Sequence, residues 1–140
     1  MSKSKTITAN DDVGAKDYLE AGYLRELQLD RLRKTVQRCY DGVAFFRERM
    51  DAEKLKPGDI KKLDDIAKLP FTTKFDLRDT YPFGLCAVPM NQIVRLHASS
   101  GTTGKPTVVG YTHNDLDVWT ESMGRCMAAC GVGRNDTIQV

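Results

Sequence analysis

The segment from Leu96 to Thr112 constrains the fold more than any other. A run of small, hydroxyl-bearing and glycyl residues, Ser99-Ser100-Gly101-Thr102-Thr103-Gly104-Lys105, lies between two β-favouring stretches. Val94, Leu96 and Ala98 alternate before it, and Thr107, Val108, Val109, Tyr111 and Thr112 follow it. The pattern predicts a hairpin of strand, loop and strand, with strands over 93–98 and 107–112. Its tip is too polar and too long to be a plain turn.

Such a tip suits a polyphosphate. Gly101 and Gly104 permit positive φ, so that consecutive backbone N–H groups can point into one concavity. Ser99, Ser100, Thr102 and Thr103 add hydroxyl donors, and Lys105 adds a mobile ammonium. No Asp or Glu occurs from Leu96 to Asn114, so nothing repels an anion. The helix-backed nucleotide loop is excluded. That motif needs a glycine where Ser99 stands and a hydroxyl where Pro106 stands, with a helix after it. The alternative for this run is a solvated Ser/Thr/Gly turn.

The rest of the chain sets bounds. With 140 residues it is long enough for one compact domain, and a formal net charge of +2 predicts no general attraction to nucleic acid or to a membrane surface. No apolar run approaches the length of about 20 residues that crosses a bilayer. Met1-Ser2-Lys3-Ser4-Lys5 lacks the apolar stretch of a secretion signal, so the expected location is cytoplasmic. Cys39, Cys86, Cys126 and Cys130 form no CxxC pair and are expected to be reduced. Cys126 and Cys130 could share a helix face and meet His97 or His113 at a metal. Small buried apolar roles are the stronger reading for the thiols, and no metal ligand is assigned.

Before the hairpin the pattern is helical. Residues 1–16 are polar and aperiodic and read as a tail. From Tyr18, apolar Leu24, Leu27, Leu32, Val36, Cys39 and Val43 recur at mostly three- to five-residue spacing, and Gly42 is expected to end that helix. A shorter helix runs through Phe45, Phe46 and Met50. Lys56-Pro57-Gly58-Asp59 reads as a turn with Asp59 capping another helix, whose face is Ile60, Leu63, Ile66 and Leu69 before Pro70 stops it. Thr72 or Thr73 caps a further short helix with Asp76 in its first turn. Asp76, Arg78 and Asp79 read as capping groups rather than as a catalytic set. Tyr81-Pro82-Phe83-Gly84-Leu85 breaks the helical region, which places domain limits at 17–80 for a helical subdomain and 81–140 for the start of a sheet domain.

After the hairpin, Thr112-His113-Asn114-Asp115 opens a helix with Leu116, Trp119, Met123, Met127 and Cys130 on one face, ended by Gly131 and Gly133. Trp119 is expected to anchor a core. Asp136 to Val140 reads as the first half of a strand, and a chain stopping in mid-strand is expected to be part of something longer. Pattern alone supports a mixed α and β class with a helical first half.

Ser-Ser-Gly-Thr-Thr-Gly-Lys-Pro, Ser99 to Pro106, resembles the phosphate-binding signature of the adenylate-forming superfamily. The wider stretch from His97 to Thr112 is similar to phenylacetate–coenzyme A ligases. So are Leu29 to Arg33, Leu69 to Lys74, Asp76 to Asp79, Tyr81 to Leu85 and Gly131 to Asp136, so that the resemblance extends over about Leu24 to Val140. Two departures stand out: Ala44 and Phe46 lie near positions where the family commonly has Pro and Tyr, and Phe75 where an acidic residue is usual.

The resemblance implies an α/β fold in which this chain supplies the helical N-terminal subdomain and the first strands and helix of the large domain. It implies ATP-dependent activation of phenylacetate through an acyl-adenylate, followed by transfer to coenzyme A. Ser99, Ser100, Gly101, Thr102, Thr103, Gly104 and Lys105 would then wrap the β- and γ-phosphates alongside Mg²⁺, with Lys105 the candidate catalytic residue. The family's acid pocket, nucleoside-binding motifs, acidic metal ligand and C-terminal lysine would fall beyond Val140, so the chain alone is expected to be inactive. The partners implied are small molecules, and homo-oligomer formation stays open. Two alternatives remain: a related ligase for another aryl acid, and a non-catalytic phosphate-binding or interaction module.

Overall fold

A computed structural model of the chain describes residues 19–99, 106–133 and 135–139. By contact it divides into two compact units, one within Ala21–His113 and one whose described part is residues 19–20, 114–133 and 135–139.

Helix α1, Ala21–Gly42, forms because its apolar residues return every turn while Arg25, Glu26, Arg31 and Lys34 face solvent. It ends at Gly42 for a reason of space rather than of left-handed backbone. A Cβ there would lie 2.7 Å from the Ala87 carbonyl oxygen, so only glycine admits that crossing strand of chain. Val43, buried and extended, turns the chain into α2, Ala44–Ala52. Met50 of α2 is fully buried in a cluster with Val36 of α1, Leu55 and Ile60, and Leu29, Leu32, Tyr40, Phe46 and Leu69 pack around them.

The single helix expected across Ile60 to Leu69 is replaced by two 3₁₀ turns, Pro57–Asp59 and Leu63–Lys68. Asp59 does not cap a following helix; its carboxylate accepts the Lys56 N–H at 2.8 Å and closes its own turn. The stronger cap is Asp65, which accepts the Lys61 and Lys62 N–H groups at 2.8 and 2.9 Å. With those donors satisfied locally, the chain needs no continuous helix, and Ile66 is left 57% exposed while Ile60 is buried. Helix α3, Lys74–Asp79, is capped by Thr73, whose hydroxyl oxygen accepts the Asp76 N–H while Asp76 accepts the Thr73 N–H. Asp76 is thus the capping group that its sequence position suggests.

Two arginines tie these pieces together. Arg33 of α1 donates to the Ile60 and Lys61 carbonyls at 2.8 and 2.9 Å. Arg49 of α2 donates to the Phe71 carbonyl and to Asp76, each at 2.7 Å, and its guanidinium lies 4.4 Å from the Phe45 ring centre. Donation from Thr73 first, and from Arg49 after it, holds the Asp76 carboxyl below its ordinary range.

Strands β1, Arg95–Ala98, and β2, Val108–Tyr111, pair antiparallel, with Arg95 opposite Tyr111, Leu96 opposite Gly110, His97 opposite Val109 and Ala98 opposite Val108. They are the whole sheet among the described residues. The mixed α and β class therefore stands, with helix dominant.

In the second unit, helix α4, His113–Ala129, stops where Gly131 adopts a φ of +84° and Val132 N–H bonds back to Met127. Among its described residues none is buried, and Trp119, expected in a core, is 39% exposed. Cys126 and Cys130 are exposed as well, which corrects their reading as small buried groups; Cys39 and Cys86 are half-buried. Residues 136–139 make no strand pairing among the described residues, so the expected final half-strand is not seen. Instead the Asp136 carboxylate accepts the Gly133 N–H at 2.7 Å.

Candidate phosphate-binding hairpin

The hairpin is closed from both ends. At the far end the Val94 N–H donates to the Tyr111 carbonyl at 2.9 Å, one residue beyond the strands proper. At the loop end, Ser99 and Thr107 make a reciprocal pair. The Ser99 N–H donates to the Thr107 carbonyl at 3.0 Å, and the Thr107 N–H donates to the Ser99 Oγ at 2.9 Å. A side-chain oxygen thus stands where the next backbone carbonyl of a ladder would stand. That substitution ends the backbone ladder at this pair.

Of the predicted site residues, Ser99 is the one placed here, exposed, at the loop mouth. Ser100, Gly101, Thr102, Thr103, Gly104 and Lys105 lie outside the described residues. Thr107 is a site-bounding residue that sequence reasoning had assigned only to a strand. The signal was a second hydroxyl residue flanking the polar run, but it is the backbone of Thr107 that matters, and backbone roles leave little trace in residue type.

The Ser99 hydroxyl keeps its own proton while accepting from Thr107, so it can still donate outward. His97 and Tyr111, diagonal neighbours on one face, stack with ring centres 4.9 Å apart at 59°. With Arg95 on the same face, the flanks of the loop carry cationic and aromatic groups and no carboxylate.

An open groove lies elsewhere among the described residues. It measures about 630 Å³ and is lined by Arg33, Lys34, Gln37, Asp41 and neighbours in the helical layer. Its polar groups are turned toward the protein: Arg33 to two carbonyls, Lys34 to Asp30 at 2.7 Å, Gln37 to Asp41 at 2.9 Å. Arg33 thus ties α1 to the segment at Ile60 and Lys61, while the other two pairs lie within α1. Among the described residues no three metal-ligating side chains come together, and no helix is long and apolar enough to cross a membrane.

No protein-family model matches the chain. Individual proteins do. Over 117 residues, 84% of this chain, it is 51% identical to the phenylacetate-coenzyme A ligase of Escherichia coli and 50% identical to that of Aromatoleum evansii. It is 53% identical over 108 residues to the enzyme of the same name from Thermus thermophilus. The chain spans about a quarter of the length of these relatives: 27% for the first two and 24% for the third.

Among solved structures, 2-hydroxyisobutyryl-CoA ligase in complex with 2-HIB-AMP and CoA superposes with a TM-score of 0.73 and 29% identity, over 81% of this chain and 25% of that one. The open conformation of the same ligase gives 0.71. In sequence and in backbone, then, the chain is similar to about a quarter of phenylacetate-coenzyme A ligases and of an acyl-CoA ligase of known structure.

Proposed function

We propose that the chain supplies the ATP-phosphate hairpin of a ligase that activates phenylacetate as its adenylate and passes the acyl group to coenzyme A. The observation that carries this reading is the 50–51% identity over 117 residues to phenylacetate-coenzyme A ligases. The geometry supports it as well: an antiparallel ribbon is clasped by Ser99 and Thr107, the described residues on either side of the polar run.

In that role Ser99 to Lys105 would surround the β- and γ-phosphates with N–H, O–H and ammonium donors. Negative charge grows on pyrophosphate as its bond to the α-phosphorus breaks, and donors already in place stabilise it without reorganisation. Lys105 is the cation of the run. Mg²⁺, when bound, would neutralise phosphate charge. Strands β1 and β2 themselves carry no carboxylate to hold it, and we place its protein ligands in the remainder of the ligase. The acid and coenzyme A sites belong there too, and a cytoplasmic location goes with these substrates.

The test is acid-dependent pyrophosphate exchange by a ligase that carries this segment and spans the full length of the relatives. Exchange with phenylacetate well above that with benzoate or 2-hydroxyisobutyrate is the expected result. Exchange with another aryl acid and none with phenylacetate moves the substrate assignment. No exchange with any acid overturns the reading.

A further inference from the structure

Four sulfur side chains gather at the end of α4. Met123 and Cys126 are three positions apart, as are Met127 and Cys130; Met123 and Met127 are four apart, as are Cys126 and Cys130. Residues at these separations are neighbours on a helix, with Cβ atoms about 5–6 Å apart. Helical periodicity puts all of them within one arc of about 100°. Cys130 follows the last helical residue, yet it keeps the turn, because its N–H donates to the Cys126 and Met127 carbonyls at 3.1 Å each. Gly131 at a φ of +84°, with the Val132 N–H on the Met127 carbonyl at 3.0 Å, then fixes the helix end.

A ligand can reach this patch. Cys126 and Cys130 are exposed, Met123 is 44% exposed and Met127 is half-buried. A shallow groove of about 340 Å³ runs beside Met123, Gly124 and Met127. The donors present there discriminate among ions. No Asp or Glu occurs from Ser122 to Cys130, so Mg²⁺ and Ca²⁺, which take oxygen ligands, find no carboxylate on this stretch. No third imidazole, thiol or carboxylate joins the two thiols among the described residues, so the tetrahedral set of a structural Zn²⁺ is not assembled. Thioethers are not ligands for those ions, but thiolate with thioether is the soft combination that selects Cu(I).

We propose that Met123, Cys126, Met127 and Cys130 form a binding site for one Cu(I) ion. The two thiolates are its principal ligands, and the two thioethers support them. On binding, two Cu–S bonds form to Cys126 and Cys130, and the two thiol protons pass to solvent. Copper enters and stays as Cu(I), so no oxidant or reductant is consumed. The site belongs to the second unit and stands whether or not the hairpin handles ATP.

The experiment adds Cu(I) without oxygen to the reduced 140-residue chain in competition with bicinchoninate, a chromogenic Cu(I) chelator. One ion per chain should be withdrawn from the chelator. Cys126→Ser and Cys130→Ser should each weaken binding by more than the hundredfold or so that a lost supporting group can cost. Met123→Leu and Met127→Leu should each weaken it by about tenfold, the lower end of that range. Cys39→Ser and Cys86→Ser, at the half-buried thiols elsewhere, should leave it unchanged. Both patch thiols are exposed, so circular dichroism of their serine variants should match the parent.

A chain that withdraws no Cu(I) overturns the proposal, as does binding that survives both Cys126→Ser and Cys130→Ser. One ion per two chains overturns it too, since the ligands then come from two copies. Binding that both methionine variants leave intact overturns the four-sulfur set. An equal concentration of Zn²⁺ that displaces the copper overturns the selection of a soft ion.

Discussion

Met50, at the centre of the helical layer, has no accessible surface, whereas Leu96, in the middle of β1, keeps about half of its own. The same contrast holds for polar groups. Around Met50 the side chains of Arg33, Arg49, Asp65 and Asp76 are spent on backbone groups and on one another. At the hairpin mouth Ser99 spends one lone pair on Thr107 and keeps its proton for something else. Packing is thus assigned to one stretch of this short chain, and the proposed chemistry to another. Variants in the first should change stability and little else, and variants in the second should change turnover and little else.

Met50→Ala tests the first half of that statement and should show the largest effect. Truncating a fully buried methionine typically costs about 2–5 kcal/mol, from lost transfer free energy and an unfilled cavity. Urea denaturation of the chain should show the midpoint falling accordingly. A loss below about 1 kcal/mol would mean that the cluster of Val36, Met50, Leu55 and Ile60 is not the centre of stability.

Lys105→Ala tests the second half. In a ligase carrying this segment, turnover should fall roughly a hundredfold, the usual loss for one well-placed donor to developing charge, or about 3 kcal/mol of barrier. Unfolding free energy should move by less than about 0.5 kcal/mol, as for surface changes elsewhere. A large drop in melting temperature with turnover intact would erase the contrast, because the run would then be a structural turn.

What the sequence discloses differs between the two stretches in the same way. Helices α1 and α2, the Thr73 cap and the hairpin itself can be read from periodicity, from a hydroxyl three residues before Asp76, and from alternation about a polar run. The 3₁₀ turns between Pro57 and Lys68 cannot, because Ile60, Leu63 and Ile66 fall at helical spacing whether or not the backbone continues. What decides it is Asp65 reaching back to the N–H groups three and four residues earlier, a local bond that apolar spacing does not announce. Gly42 looks like an ordinary helix stop, and its reason, the Ala87 backbone, is 45 residues further on. In α4 the stripe of Trp119, Met123 and Met127 is visible, but whether a stripe is covered depends on neighbours that spacing does not name. At the site, Ser99 is legible by composition and Thr107 is not, because its part is played by backbone.

The helical layer should also carry the response to acid, and the hairpin, whose described part has no carboxylate, should not. Lys68 first, then the Lys62 and Lys61 N–H groups, hold Asp65 down from its ordinary value to about 2. Asp51 is lowered by the ammonium of Lys56 and the hydroxyl of Tyr40, and Asp76 by Thr73 and Arg49. A carboxyl with a lower pKa folded than unfolded stabilises the fold above its unfolded value near 3.8. That stability is lost as pH falls through the folded value. Melting temperature should therefore hold from pH 6 to about 4 and decline toward about 2. Asp65→Asn should lower it at pH 6 and flatten the decline. An unchanged acid limb in that variant would move the titration to other groups.

The smallest expected effect sharpens the comparison most, because Ser99 belongs to both descriptions. As a clasp, its Oγ accepts the Thr107 N–H; as a ligand, its proton points at phosphate. Ser99→Ala removes both roles, while the Ser99 N–H bond to Thr107 survives. Loss of one exposed hydrogen bond costs about 0.5–1.5 kcal/mol, so melting temperature should fall slightly and the Thr107 amide should lose exchange protection. Ser99→Thr keeps the oxygen and should restore that protection. In a ligase carrying the segment, a loosened mouth should reduce turnover by less than Lys105→Ala does, about tenfold, with Ser99→Thr recovering most of it. If instead Ser99→Ala matched the full loss at Lys105 while Thr107 stayed protected, the hydroxyl would act directly on phosphate, and the boundary between packing and chemistry would lie one residue earlier, at Ala98.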